Sequence, residues 1–362
     1  MTMAMKEIGS NYWLAPNVVE DLPKNSDKSP TIFDGASYVS TCRSAIGITL
    51  DALPNIRRKV ALLPAFTCES VLTPFLDRGY DIYQYHIRKD LTIDWKSFHS
   101  SLSHINPSVV LVHSFFGFDT IKELRPHILE LREHGITVIE DETQSMFSCK
   151  PLINANYFVG SIRKWIPLPD GAFVTVPIHL EKENKELVAA KMKAFIMKGD
   201  WILNGIGEKQ TFQQAFRKAE GILNHCKQAF SMSSESREIL AKTDLSMMKS
   251  IRRENCKTLI NGILNDPVIS NELRLPISKM EKEDCPFYLP VLVKEGRKDL
   301  QQYLAKNDIF ATIIWACPDA YKDTIDDDSK YVYDHILCFH IDQRYNQSDM
   351  IRIIDTLKKY YY

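Results

Sequence analysis

The stretch that decides the fold runs from Ile136 to Pro177. It opens Ile136-Thr137-Val138-Ile139-Glu140-Asp141-Glu142-Thr143-Gln144 and continues, after an interval, Gly160-Ser161-Ile162-Arg163-Lys164-Trp165. A Pro-rich turn then reaches Asp170-Gly171, and Ala172 to Val176 is apolar again. A short apolar run ending in an acid predicts a buried strand with a carboxylate at its tip. The second part predicts a turn bearing a lysine, followed by a new strand.

Upstream the same alternation recurs. Ile46, Leu50 and Leu53 at i, i+4 and i+7 on Arg43–Leu53 predict an amphipathic helix stopped by Pro54. Lys59–Leu63 predicts a strand, Ser70–Arg78 a helix ended by Gly79, and Ser108–His113 a strand buried on both faces. Thr120-Ile121-Lys122-Glu123 has the pattern of a capping box, so a helix is expected from there to Gly135, with Leu124, Ile128 and Leu131 as its apolar stripe. Alternating strands and helices predict an α/β fold with a mainly parallel central sheet between helices. Ligands gather at the carboxyl ends of strands in such sheets, where His113 and Asp141 both fall. His113 reads as a satisfied histidine at a strand end and takes no catalytic role.

Downstream, about 183 to 264 reads as helical. Phe287–Val293, Ile309–Trp315 and Ile336–Ile341 read as strands, and Arg297–Lys306 and Ser348–Tyr360 as helices. The expected organisation is an irregular arm over 1–35, a large cofactor-binding domain over 36–250 and a small C-terminal α/β domain over 251–362. A chain of 362 residues is long for one core, which favours two subdomains.

Bulk properties narrow the function. Lys plus Arg number 45 against 46 Asp plus Glu, so no net field draws nucleic acid or an anionic membrane. No apolar run approaches the roughly 20 residues that span a bilayer, and the N-terminus has no apolar signal core. The expectation is a cytoplasmic protein. Eight cysteines include no Cys-x-x-Cys pair and ten histidines show no clustering, so no metal site is expected.

An acid at one strand tip and a lysine beside the next suit pyridoxal 5'-phosphate. That cofactor needs a carboxylate against its pyridine nitrogen and a lysine for its Schiff base. Each residue also has an ordinary reading. Lys164 follows Arg163 and would pass for a surface lysine in a basic turn. Any of Glu140, Asp141 and Glu142 would serve to cap the next helix. Strand alternation makes Asp141 face away from its two neighbours without saying which side that is.

The ordered set of motifs resembles the DegT/DnrJ family of aminotransferases, pyridoxal-phosphate enzymes of fold type I. Asp141 to Gln144 is similar to the family's Asp-x-x-His or Asp-x-x-Gln, and Lys164 to its aldimine lysine. Tyr38 to Ile46 resembles its phosphate-loop segment, Leu63 to Cys68 its Pro-x-x-Thr-aromatic segment, and Val112-His113 with Gly117 its histidine-containing strand end. The likeness spans most of residues 35 to 180 and thins to pieces such as Asp342-Gln343-Arg344-Tyr345 beyond.

The resemblance implies an aminotransferase that moves an amino group from an amino acid to a ketone, usually a nucleotide-linked keto-sugar. Lys164 would be catalytic, and Cys42, Arg43, Cys68, Asp141, Gln144, Ser161 and Lys164 would hold the cofactor. The helix start at Arg43 would offer N–H groups to the phosphate. Two positions depart from the family. Cys42 replaces a glycine, and Cys68 stands where an aromatic ring often covers the cofactor, so Phe66 or another side chain would have to do so. Retention of Lys164 argues against the family's sugar dehydratases, which carry histidine there. A lyase or acyl transferase on the same scaffold would use the same residues, and a non-catalytic binding protein that kept the fold would fit the two departures. The resemblance also implies a homodimer, with the helical stretch from 183 to 264 and the Phe230-Ser231-Met232-Ser233 loop as material for reaching the partner's phosphate site.

Overall fold

The structure, a computed structural model, describes residues 7–15, 33–54, 58–148 and 154–362. Most of the predicted arm over 1–35 and Cys149 lie outside the described residues. Two compact units divide the chain: Met1–Ser10, Asn55–Asn156 and Leu245–Tyr362 form one, and Asn11–Pro54 and Tyr157–Asp244 the other. Among the described residues the central sheet has seven strands and is mainly parallel.

In the first unit the strands run in the order Asp81–Tyr85, Val60–Pro64, Val109–Val112, Thr137–Asp141, all parallel. Val60–Pro64 and Val109–Val112 are buried at every residue, which is why they read as unbroken apolar runs. The register pairs Leu62 with Val110 and Val112 with Glu140. Ala65, His113 and Asp141 therefore leave their strands at one level. Helices Glu69–Leu76, Trp95–Ile105 and Ile128–Glu133 connect them.

The predicted capping box at Thr120 does not open a helix. Thr120 Oγ1 instead accepts from the Phe115 N–H at 3.1 Å, and residues 120–124 form turns. Pro126 explains the difference. It has no N–H to donate and its ring would clash with the carbonyl four residues back, so the helix restarts beyond it, at Ile128. Leu124, Ile128 and Leu131 are buried all the same.

The remainder of this unit begins with helix Leu245–Leu264 and builds a three-stranded antiparallel sheet from Leu273–Arg274, Leu289–Val293 and Ile336–Phe339. Helices Arg297–Lys306, Asp327–His335 and Gln347–Tyr361 accompany it. Ile309–Phe310 pairs in parallel with Ile8–Gly9, so the arm contributes one short strand. The expected strand to Trp315 stops at Phe310, because its partner is only two residues long and Trp315 adopts φ 61°, which no strand continues.

In the second unit Ser37–Val39 and Tyr157–Gly160 flank Ala172–Val174, both antiparallel to it. Helix Cys42–Asp51 buries six consecutive residues from Ala45 to Leu50. Helices Lys185–Asn204 and Lys209–His225 pair through Phe195 with Phe216 and Trp201 with Phe212. Gly199 lets the Leu14 carbonyl approach; a Cβ there would stand 1.9 Å from that oxygen. Helix Ser234–Lys242 completes the unit.

Candidate active site

Asp141 ends its strand 5% exposed, and its Oδ1 accepts from the Thr143 N–H at 2.9 Å. It thus caps the single 3-10 turn Glu142–Gln144. Glu140 and Glu142 are fully buried and hydrogen-bond to each other, as the pleat requires of residues two apart. Burial pushes the Glu142 carboxyl up to about 7, against the hydrogen bonds from Ser145 and Glu140. A buried acid pair of this kind holds one proton between two carboxylates.

Gln144 is buried, and its Oε1 accepts from the Phe116 N–H at 2.7 Å. The side chain therefore ties the Asp141 turn to the loop beyond the neighbouring strand, and its NH2 end is what remains for a ligand. That loop is fixed from a third side. Phe287 N–H donates to Phe116 O at 2.7 Å, and a Cβ on Gly117 (φ 83°) would meet Cys285 O at 2.1 Å.

Cys68 is half-buried at the start of helix Glu69–Leu76, with Sγ 3.1 Å from Ser70 Oγ. Phe66, the candidate to replace its missing ring, is fully buried among Phe115, Trp315 and Tyr333, with centroids at 5.4, 5.0 and 4.7 Å. It has no face to offer a cofactor. The Tyr333 hydroxyl clamps Thr67, accepting from its N–H and donating to its carbonyl, both at 2.8 Å. His113 lies 3.3 Å from Thr67 Oγ1 and is buried.

The second unit assembles the remaining candidates. Lys164 closes the 3-10 turn Ile162–Lys164, half-buried, and among the described residues its Nζ makes no ion pair. Ser161 precedes the turn, buried, without capping it. Backbone bonds from elsewhere hold the turn instead. Ile162 and Arg163 N–H both donate to Gly171 O, at 3.0 and 3.2 Å, and Tyr12 hydroxyl donates to Trp165 O at 2.9 Å. Gly171 N–H in turn donates to Ser40 O at 2.8 Å, and Ser40 N–H to Phe230 O at 2.9 Å.

Asp170 locks this arrangement. Fully buried, it accepts from Ser233 Oγ at 2.7 Å, Ser236 Oγ at 2.6 Å and the Ser233 N–H at 3.2 Å. Burial pushes its carboxyl up to about 6 despite those donors. Sequence reasoning saw Asp170 only as a turn and Ser233 only as a loop. The small polar residues Ser233 and Ser236, on one side of a helix start, were the signal that a buried acid awaited them.

Thr41 caps helix Cys42–Asp51, its Oγ1 accepting from Ser44 N–H at 3.1 Å. Cys42 begins the helix. Arg43 is half-buried, with Nη1 3.4 Å from Leu223 O and a buried Nε that has no partner among the described residues. The structure thus gathers Asp141, Gln144 and Cys68 at the strand ends of the first unit, and Ser161, Lys164, Cys42 and Arg43 around Gly171 and Ser40 in the second. Among the described residues no cluster of three metal-type ligands occurs, and no helix is long and apolar enough to cross a membrane.

No family model matches the chain, and no curated protein matches it in sequence. Solved structures do match in fold. PseC of Helicobacter pylori, an aminotransferase involved in the biosynthesis of pseudoaminic acid, aligns with a TM-score of 0.71 at 14% identity, over 98% of this chain and 99% of its own. AtS13 of Actinomadura melliaura aligns at 0.70 and 16% identity, over 99% and 100%. The sugar aminotransferase CalS13 of Micromonospora echinospora aligns at 0.65 and 15%, over 97% and 98%. The chain has the fold of these proteins along its whole length.

Proposed function

We propose that this protein is a pyridoxal-phosphate-dependent aminotransferase that moves an amino group from an amino acid to a keto-sugar or similar ketone. One observation carries the reading. In a fold shared over nearly all of the chain with aminotransferases, a sugar aminotransferase among them, a buried carboxylate closes a parallel strand and the lysine of the next strand's turn makes no ion pair among the described residues.

The residues fit the cofactor. Asp141 would hold a proton on the pyridine nitrogen through a charged hydrogen bond. The first turn of helix Cys42–Asp51, with its dipole and the unsatisfied Arg43 Nε beside it, would take the phosphate, and Ser161 would add a hydroxyl. Gln144 would turn its NH2 toward the ring. When bound, the cofactor supplies an aldehyde for Lys164 and a ring that withdraws electrons from the substrate carbon. Lys164 Nζ, released by the incoming amino acid, would carry the proton from that carbon. Glu140 and Glu142 hydrogen-bond to each other, and the charge of Asp141 adds to the burial that keeps Glu142 protonated.

The division into a cofactor domain over 36–250 and a small domain over 251–362, the cytoplasmic location and the homodimer belong to the same proposal. For the dimer the loop at 230–233 needs revision as the partner-reaching element. Met232 and Ser233 are buried, and Ser231 bonds to Lys182 O and Arg237, which leaves the half-buried Phe230 side chain for a neighbour. Light scattering that finds a monomer with bound cofactor would refute the dimer.

The central test is spectroscopic. Protein incubated with pyridoxal phosphate should gain a visible band, and borohydride should fix the label on the Lys164 peptide. Amino donors should bleach the band and a panel of keto-sugars should restore it. Absence of the band, or label on another lysine, would overturn the assignment; restoration by no ketone would favour a lyase or acyl transferase.

A further inference from the structure

We propose that Trp315 is the side chain against which the ring of the acceptor lies, and that it selects a cyclic sugar over an open-chain keto acid. The existence of an acceptor rests on the aminotransferase reading; the choice of residue rests on separate observations.

Five rings gather beyond the carboxyl ends of the parallel strands in the first unit. Phe66 packs on Phe115, Trp315 and Tyr333, and His113 on Phe115 at 4.5 Å and Trp315 at 6.0 Å. Phe66, Phe115, Tyr333 and His113 are buried, and of the five Trp315 alone is half-buried. The cluster therefore turns one ring outward. His113 leaves its strand level with Asp141, so the indole stands at the same end of the sheet as that carboxylate.

The backbone gives an independent sign. Trp315 adopts φ 61°, a region that a bulky side chain seldom enters. Two anchors hold it there. Thr312 and Cys338 exchange both backbone hydrogen bonds at 2.9 Å on one side, and the turn Asp319–Tyr321 with its buried Tyr321 follows on the other. Unfavourable backbone of this kind persists where surroundings over-determine it, and it clusters at ligand clamps. A residue serving only to cover Phe66 would gain nothing from it.

The chemistry of the wall selects its ligand. Cys68, two residues from Phe66, presents a thiol and no ring, whereas the indole is a broad apolar face with negative charge above it. One face of a pyranose is a row of C–H groups of matching width and opposite polarity. A small keto acid has no such face.

The experiment titrates the cofactor-loaded protein with UDP-glucose, dTDP-glucose, UDP and dTDP by calorimetry, in the parent and in Trp315→Ala, Trp315→Phe and Trp315→Gly. The parent should bind the sugar nucleotides more tightly than the free nucleotides. Trp315→Ala should weaken the sugar nucleotides by about tenfold with UDP and dTDP unchanged, and Trp315→Phe should restore most of the difference. Trp315→Gly, freed of the backbone strain, should melt no lower than Trp315→Ala yet bind sugar as poorly. Affinity for pyridoxal phosphate should stay within about twofold throughout. Sugar binding unaltered in Trp315→Ala, equal affinity of the parent for UDP-glucose and UDP, or loss of cofactor in step with loss of sugar would each overturn the proposal. A parent that takes up no pyridoxal phosphate refutes the aminotransferase reading, and this inference with it.

Discussion

The turns that carry Asp141 and Lys164 have the same outline, one 3-10 turn after a strand, and opposite support. The Asp141 turn holds itself. Its own strand aims the side chain, Asp141 caps Thr143, Ser145 donates to Glu142, and Gln144 reaches only to the adjacent loop. The Lys164 turn has no side-chain cap and is held by Gly171, Tyr12 and, through them, Ser40, Phe230 and the Asp170 cluster. A fixed acid can be made locally. The Lys164 turn takes its rigidity from distant segments.

Four experiments would break or sharpen that contrast. Lys164→Ala should abolish the visible band and lower transamination by at least about 10³-fold with the melting temperature unchanged, since the turn does not depend on its side chain. Turnover near the parent rate would remove the lysine from the chemistry.

Asp170→Ala should cost about 3 kcal/mol in denaturant unfolding, because it strands two hydroxyls and an N–H in the interior. Cofactor uptake should fall with it as the Lys164 turn loosens. Asp170→Asn keeps an acceptor and should recover most of the loss. Equal stability of the alanine variant and the parent would mean the clamp is ornamental.

Asp141→Ala should weaken cofactor binding by at least about tenfold, as expected for a lost hydrogen bond to a charged group, with little effect on the Lys164 turn. If Asp141→Ala binds normally and Glu140→Ala does not, the two faces of the strand have been assigned the wrong way round.

The smallest effect concerns Glu142. Its folded value of about 7 lies above the ordinary 4.5, so the fold holds the proton more tightly than the unfolded chain does. That stabilisation is complete below about pH 4.5 and is lost as pH rises through about 7. Glu142→Gln cannot ionise. It should match the parent at pH 4.5 and exceed it by about 1–2 kcal/mol at pH 8, a reduced figure because Glu140 shares the proton. Identical pH profiles would show that the pair is not protonated.

The sequence alone determined the central strands that are buried at every residue. Val60–Pro64 and Val109–Val112 are unbroken apolar runs because both faces are covered, and a local pattern reports that directly. Arg297–Lys306, closed by Asn307, was legible to the residue because Leu300 and Leu304 mark one buried face one turn apart. Asp81–Tyr85, Trp95–Ile105 and Asp327–His335 went unread, although Asp94 and Asp326 cap the two helices; the strand alternates exposed and half-covered residues and gives a weaker signal. The motifs pointed to an acid and a lysine, and the structure sets each at a 3-10 turn after a strand. Only the tertiary structure decided that Phe66 is walled in, that Trp315 turns outward on a strained backbone, and that Asp170 answers Ser233 and Ser236 from 63 and 66 residues away. The reason is physical. Periodicity and capping are local and leave a trace in neighbouring residues, whereas a buried polar clamp or an aromatic cluster is satisfied by side chains that the chain brings together only when it folds.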